Sequence, residues 1–105
     1  MITIRGKSDD RLQGVADVLV KYKEQHHNAD IAVYRHNSVS VRIRIVDPDF
    51  DGINKADRHD IVWDFVKTLP EDQQSEIGLL LLFTPSETEM SFANDEFDNP
   101  IPSQL

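Results

Sequence analysis

The chain has no cysteine. That removes disulfides, thiolate metal sites, cysteine nucleophiles and thiol redox chemistry, together with the framework of a small secreted scaffold. Glycine is scarce, and Gly6, Gly14, Gly52 and Gly78 form neither a phosphate-cradling loop nor the G-x-x-G that clamps RNA. There is no G-x-S-x-G, no Ser, His and Asp spacing that singles out a triad, and no carboxylate pair marked for acid–base work. The chain is therefore expected not to be an enzyme. Long hydrophobic runs are also missing. The longest, 79–83, is far too short to cross a bilayer, and residues 1–7 lack the apolar stretch of a signal peptide. A soluble cytoplasmic protein without a membrane partner is expected.

Bases are absent from the last third. All 11 Lys and Arg lie at or before Lys67, residues 1–67 balance to zero, and the net charge of −8 falls wholly after Lys67. Phosphate backbones require a basic stripe, so nucleic acid is disfavoured unless the acidic end stands clear of a basic face. That end holds the turn formers Asn94, Asn99, Pro100 and Pro102. Residues 91–105 are expected to form an acidic, disordered tail behind a single domain over 1–90, a tail that either keeps the protein soluble or docks.

Residues 2–5 alternate as a short strand would. Leu12, Val15, Val18, Leu19 and Tyr22 recur at helical spacing after Ser8-Asp9-Asp10 and predict a helix over about 9–26. Residues 31–36 read as a strand, Asn37-Ser38 as a hairpin break, and Val39, Val41, Ile43 and Ile45 alternate with Ser40, Arg42 and Arg44 in a second, antiparallel strand with one dry face. Asn54 can cap a second helix bearing Ile61, Val62, Phe65, Val66 and Leu69, and Pro70-Glu71-Asp72 starts a third. The apolar run 77–83 predicts a strand central in the sheet and buried on both sides. The order (β)αββααβ makes an α+β domain, a small mixed sheet with helices on one face.

Phe50-Asp51-Gly52, five residues, then Arg58-His59 resembles the F-x-G-x5-R-H signature of BolA-like proteins. Tyr34-Arg35-His36-Asn37 resembles the segment that closes the family's first strand, and Thr84-Pro85-Ser86-Glu87 its ending after the last strand. The likeness spans about residues 9–88 and implies an α-β-β-α-β core similar to a type II KH fold. It marks Phe50, Gly52 and Arg58 as fold signature. It also implies an adaptor that works with a monothiol glutaredoxin in iron–sulfur cluster or iron handling, His59 being a ligand of a shared 2Fe–2S cluster. The family's long loop between its first two strands, which carries a second ligand, has no counterpart after Asn37.

Imidazole suits such a cluster because a neutral nitrogen lowers its charge relative to thiolate. With no cysteine here, the thiolates would come from the partner. His59 should sit in the first turns of the second helix with Trp63 at i+4, where it could equally cap or pack. His36 is the candidate second ligand if the hairpin end lies beside that helix. Two imidazoles could take zinc, copper or half of an iron cluster. His26 and His27 read as solvated helix-end residues. Asp47-x-Asp49-x-Asp51-Gly52 matches the first half of a calcium loop, but Arg58 stands where the bidentate Glu belongs, so an Asx-rich turn is expected. Two other readings stand beside the adaptor: a metal-free protein-interaction domain of the same fold, and a KH-like nucleic-acid regulator using Arg42, Arg44 and Arg58.

Overall fold

The computed structural model describes residues 1–103. The elements run β1 (Ile2–Arg5), α1 (Asp10–Gln25), β2 (Asp30–Asn37), β3 (Ser40–Val46), α2 (Lys55–Val66), α3 (Glu71–Gln74), β4 (Ile77–Phe83) and α4 (Phe92–Asp98), with 3-10 turns at Pro48–Phe50 and Pro85–Met90. The expected α+β class and element order are present. Asp9 caps α1 by accepting the Leu12 N–H, and Asn54 caps α2 by accepting that of Asp57, each satisfying a donor that the first helical turn leaves unpaired.

The sheet is mixed, in the order β1-β2-β3-β4. β1 pairs parallel with β2, β2 antiparallel with β3, and β3 parallel with β4. The hairpin turn is Ser38-Val39, one residue later than expected. Asn37 and Ser40 are paired, and His36 is left over as a bulge. Val39 accordingly lies in the turn and is exposed.

Ile31, Val33, Val41, Ile43 and Ile45 fill the face under α1 and α2 with Leu12, Val15, Leu19, Tyr22, Val62 and Val66. Burying each such aliphatic side chain stabilises the fold by roughly 1.5–3 kcal/mol.

Two expectations are corrected. β4 is an edge strand, not a central one. Its two-sided apolarity has another cause: Leu80 and Leu82 join the core under the large helices, while Leu79 and Leu81 pack on the opposite face with Ala32, Tyr34 and Phe97. The second correction concerns the tail. Residues 92–98 form a helix, capped by Ser91, that lies on the outer face of the sheet with Phe97 fully buried. The acids there offset arginines on that face, so a segment whose composition suggests disorder has a surface to fold against. Positions 104 and 105 of the expected tail lie outside the described residues. Among the described residues, no helix is long and apolar enough to cross a membrane.

Candidate functional site

The F-x-G-x5-R-H segment joins β3 to α2. Gly52 has φ +78°, a left-handed conformation that costs a residue with a Cβ but not glycine. The turn it makes sends Phe50 into the core and starts α2 at once. Arg58, in the first turn of α2, is buried. Its guanidinium donates to the Ile53 carbonyl (2.8 Å), the Leu82 carbonyl (3.1 Å) and both oxygens of Glu87 (2.6 and 3.3 Å), and it lies 5.5 Å from the Phe50 ring centroid. Glu87 also accepts the Thr84 N–H at 2.7 Å. The Arg58 hydrogen bond, then that of Thr84, hold the Glu87 carboxyl down to about 2. Phe50, Gly52, Arg58, Thr84 and Glu87 thus form one structural lock between α2 and the end of β4.

His59, the next residue, is exposed. Its ring stacks on Trp63 with centroids 5.3 Å apart and 12° between planes. Beside it runs a groove of about 240 Å³ lined by Lys55, His59 and residues 80–83 of β4, along the sheet edge that no other strand pairs. The lock turns the two neighbours in opposite senses: Arg58 is consumed by its partners, while His59 is held in place by a stacked ring with its imidazole presented to solvent.

His36 does not join it. The residues flanking the bulge pair with Val41 and Ser40, and Val41 pairs with Ile77 at the start of β4, whereas His59 lies beside its end. Five strand residues separate these levels, roughly 16 Å. With no cysteine thiolate on the chain, the residues at His59 fit a group that takes one imidazole from this protein and its remaining ligands from another. They do not fit a metal held by this chain alone.

A second donor cluster escaped the sequence reading. His26 Nδ1 lies 3.4 Å from Asp47 Oδ2 and 3.1 Å from Asp49 Oδ2. Its ring stacks on Tyr22 at 4.1 Å, and the Tyr22 hydroxyl donates to Asp47 at 2.6 Å. Burial of Tyr22, then its bond to Asp47, push the phenol up. Asp47 is fully buried and accepts the Asp49 N–H, which is the expected Asx turn. The network ties the C-terminus of α1 to the β3–α2 connection. Sequence offset alone could not pair His26 with Asp47, because their approach depends on how α1 packs across the sheet. A surface cleft of about 980 Å³ lined by Asp9, Arg11, Arg35 and Glu76 among others is likewise self-satisfied. Arg35 pairs with Asp9 and Glu76, and Arg11 with Asp72 and Glu76.

The candidate nucleic-acid face does not assemble. Arg42 pairs with Glu96 at 2.5 Å and Arg44 with Asp98 at 2.8 Å, on the face covered by α4. Arg58 is spent in the lock on the other side of the sheet. With α4 in place, Arg42 and Arg44 are committed to internal partners and are not presented to phosphate.

Solved structures share this fold. The BolA domain of SufE1 from Arabidopsis thaliana superposes with a TM-score of 0.55 at 19% identity, covering 77% of this chain and 99% of that one. The chain has a BolA-like fold. BolA1 from Arabidopsis thaliana agrees, with a TM-score of 0.51 at 18% identity over 76% of this chain and 98% of that one. No protein-family model and no curated protein matches the sequence. The BolA-like core covers about three quarters of the chain.

Proposed function

We propose that the chain is a non-catalytic BolA-like adaptor that acts with a monothiol glutaredoxin in iron–sulfur cluster or iron handling, contributing His59 to a shared 2Fe–2S cluster. The observation that carries this reading is the placement of His59: an exposed imidazole, braced on Trp63, immediately after the buried anchor Arg58 and beside an open strand edge. Such a cluster would supply electron-transfer or cluster-transfer chemistry. This chain's part is to present one nitrogen, to hold α2 still through Arg58 and Glu87, and to offer the β4 edge and Lys55 as surface for the partner. His36 is not a co-ligand in this reading, because it stands at the far end of the sheet. Anaerobic mixing of the chain with a monothiol glutaredoxin, ferrous iron and sulfide tests it. A heterocomplex with visible absorption is expected, and His59→Ala should remove the absorption. No visible band with wild type would defeat the reading.

The open β4 edge also favours a second reading, a metal-free interaction domain that takes a partner strand by edge pairing. A stable complex with an unchanged partner spectrum, insensitive to His59→Ala, would distinguish it.

A further inference from the structure

The outer face of the sheet is basic. Arg5, Arg42 and Arg44 stand on it around Tyr34, and α4 supplies the acids. Arg42 pairs with Glu96, while Arg5 and Arg44 both reach the same Asp98 oxygen at 2.8 Å. Asp30, on the same face of β2 as Tyr34, adds a carboxylate beside Arg44, so the sheet itself sets three guanidiniums against one acid and α4 brings two more. Burial pushes the Asp98 carboxyl up, but the hydrogen bonds from Arg5 and Arg44 outweigh it and leave it below its ordinary range. Between the arginines sits Phe97, 4.8 Å from Arg44, 5.5 Å from Arg5 and 4.8 Å from the Tyr34 ring. The Tyr34 hydroxyl donates to the Phe97 carbonyl at 2.7 Å.

The occupant is small for its site. α4 has seven residues, too few to hold a helix by itself, and Phe97 is its one fully buried side chain. Phe92 and Met90 next to it are 86% and 90% exposed. Clefts run along both flanks, one of about 260 Å³ lined by Arg5, Tyr34, Phe97 and Asp98 among others, the other of about 290 Å³ lined by Asp30, Arg44, Asn94 and Asp98 among others. An element with one buried anchor and partly exposed ion pairs opens at lower free energy than the core.

We propose that this face is a docking site for an acidic helical segment of another protein, anchored by one aromatic ring, and that α4 covers it as an intramolecular competitor. The occupant's chemistry is read from the face itself: a ring pocket between arginines, ringed by more positive than negative charge. The site lies on the opposite side of the sheet from the core under α1 and α2 and does not depend on the reading of His59.

The test uses the full chain and a fluorescent peptide copying residues 88–100. A tethered competitor acts at an effective concentration of about millimolar, so wild type should bind the peptide weakly. Phe97→Ser, which frees the face, should bind it about tenfold tighter or better. Adding Arg42→Glu should remove that gain, as should about 0.5 M salt, which screens such pairs. Phe92→Ser, at an exposed position, should behave as wild type. If Phe97→Ser does not fold, Glu96→Lys, which keeps the buried ring, replaces it with the same expectation. No gain in a folded variant overturns the proposal. So does tighter binding of a single-stranded oligonucleotide than of the peptide, which makes the face a nucleic-acid site. Dimerisation of wild type, lost in Phe97→Ser, overturns it in favour of a second copy of this chain.

Discussion

The face of the sheet under α1 and α2 is filled by Ile31, Val33, Val41, Ile43 and Ile45, none with more than 1% exposure, whereas the opposite face carries Arg5, Tyr34, Arg42 and Arg44 beneath one short helix. Both faces belong to the same strands and are read out by the same alternation. The inner face is held by non-directional burial that needs two long helices to complete it. The outer face is held by ion pairs, cation–π contacts and a single ring. Desolvation offsets much of the attraction in such largely buried pairs, so they contribute less to stability than to which partner fits. The comparison teaches that this fold rests on one side of its sheet and keeps the other for recognition.

The strongest way to break that contrast is a matched pair on neighbouring residues of β3. Ile43→Ala should destabilise by roughly 2–5 kcal/mol, the range for truncating a buried aliphatic side chain. Arg42→Ala, one residue earlier on the other face, leaves the partly buried Glu96 without its donor and should cost less, about 1–2 kcal/mol. Denaturant midpoints measure both, and equal losses would erase the distinction.

Arg58→Ala comes next. It leaves the Ile53 and Leu82 carbonyls without their donor and should cost about 1–3 kcal/mol. Native-state hydrogen exchange should place the loosening at the start of α2 and the end of β4.

A smaller effect follows acid. The Glu87 carboxyl lies at about 2 against an ordinary 4.5, and Asp9, held down mainly by Arg35, at about 2 against 3.8. Carboxyls depressed in the folded state stabilise it above their unfolded values, and that stabilisation is lost as protons bind. Stability should be level above pH 4.5 and fall from there towards pH 2. Both groups are more than a third exposed, so solvent screening keeps the loss modest. Glu87→Gln should flatten part of the decline.

The smallest expected change in stability belongs to His59→Ala, within about 0.5 kcal/mol as for other exposed substitutions, even as it removes the visible band of the proposed heterocomplex. A large fall in the unfolding midpoint would make the histidine a packing residue and separate it from Arg58 no longer.

Much of this was legible in one dimension because helix and strand periods are local. The stripe Leu12, Val15, Leu19 and Tyr22 and the alternation from Val41 to Ile45 each predict an element and its buried face, and the Asn54 cap predicts where α2 begins. The likeness of Phe50, Gly52 and Arg58 to the BolA-like signature marks them as fold residues, and the Asp47-x-Asp49-x-Asp51-Gly52 pattern predicts the turn before α2. The place of β4 in the sheet was not legible: apolarity on both sides of a strand reports that both faces are covered, not that both edges are paired. The fate of the acidic C-terminus was hidden as well, since Phe97 shows no periodic companions and its pocket is assembled from β1, β2 and β3.

The sequence by itself determined the α+β class, the element order and the dry face of the hairpin. Those follow from residue types and spacings within a few turns of chain. Only the tertiary structure decided that His36 and His59 stand at opposite ends of the sheet, that His26 meets Asp47 and that α4 closes over Arg5, Arg42 and Arg44. Each of those contacts joins segments at least 20 residues apart, and such approaches are set by how whole elements pack and pair, which no local pattern encodes.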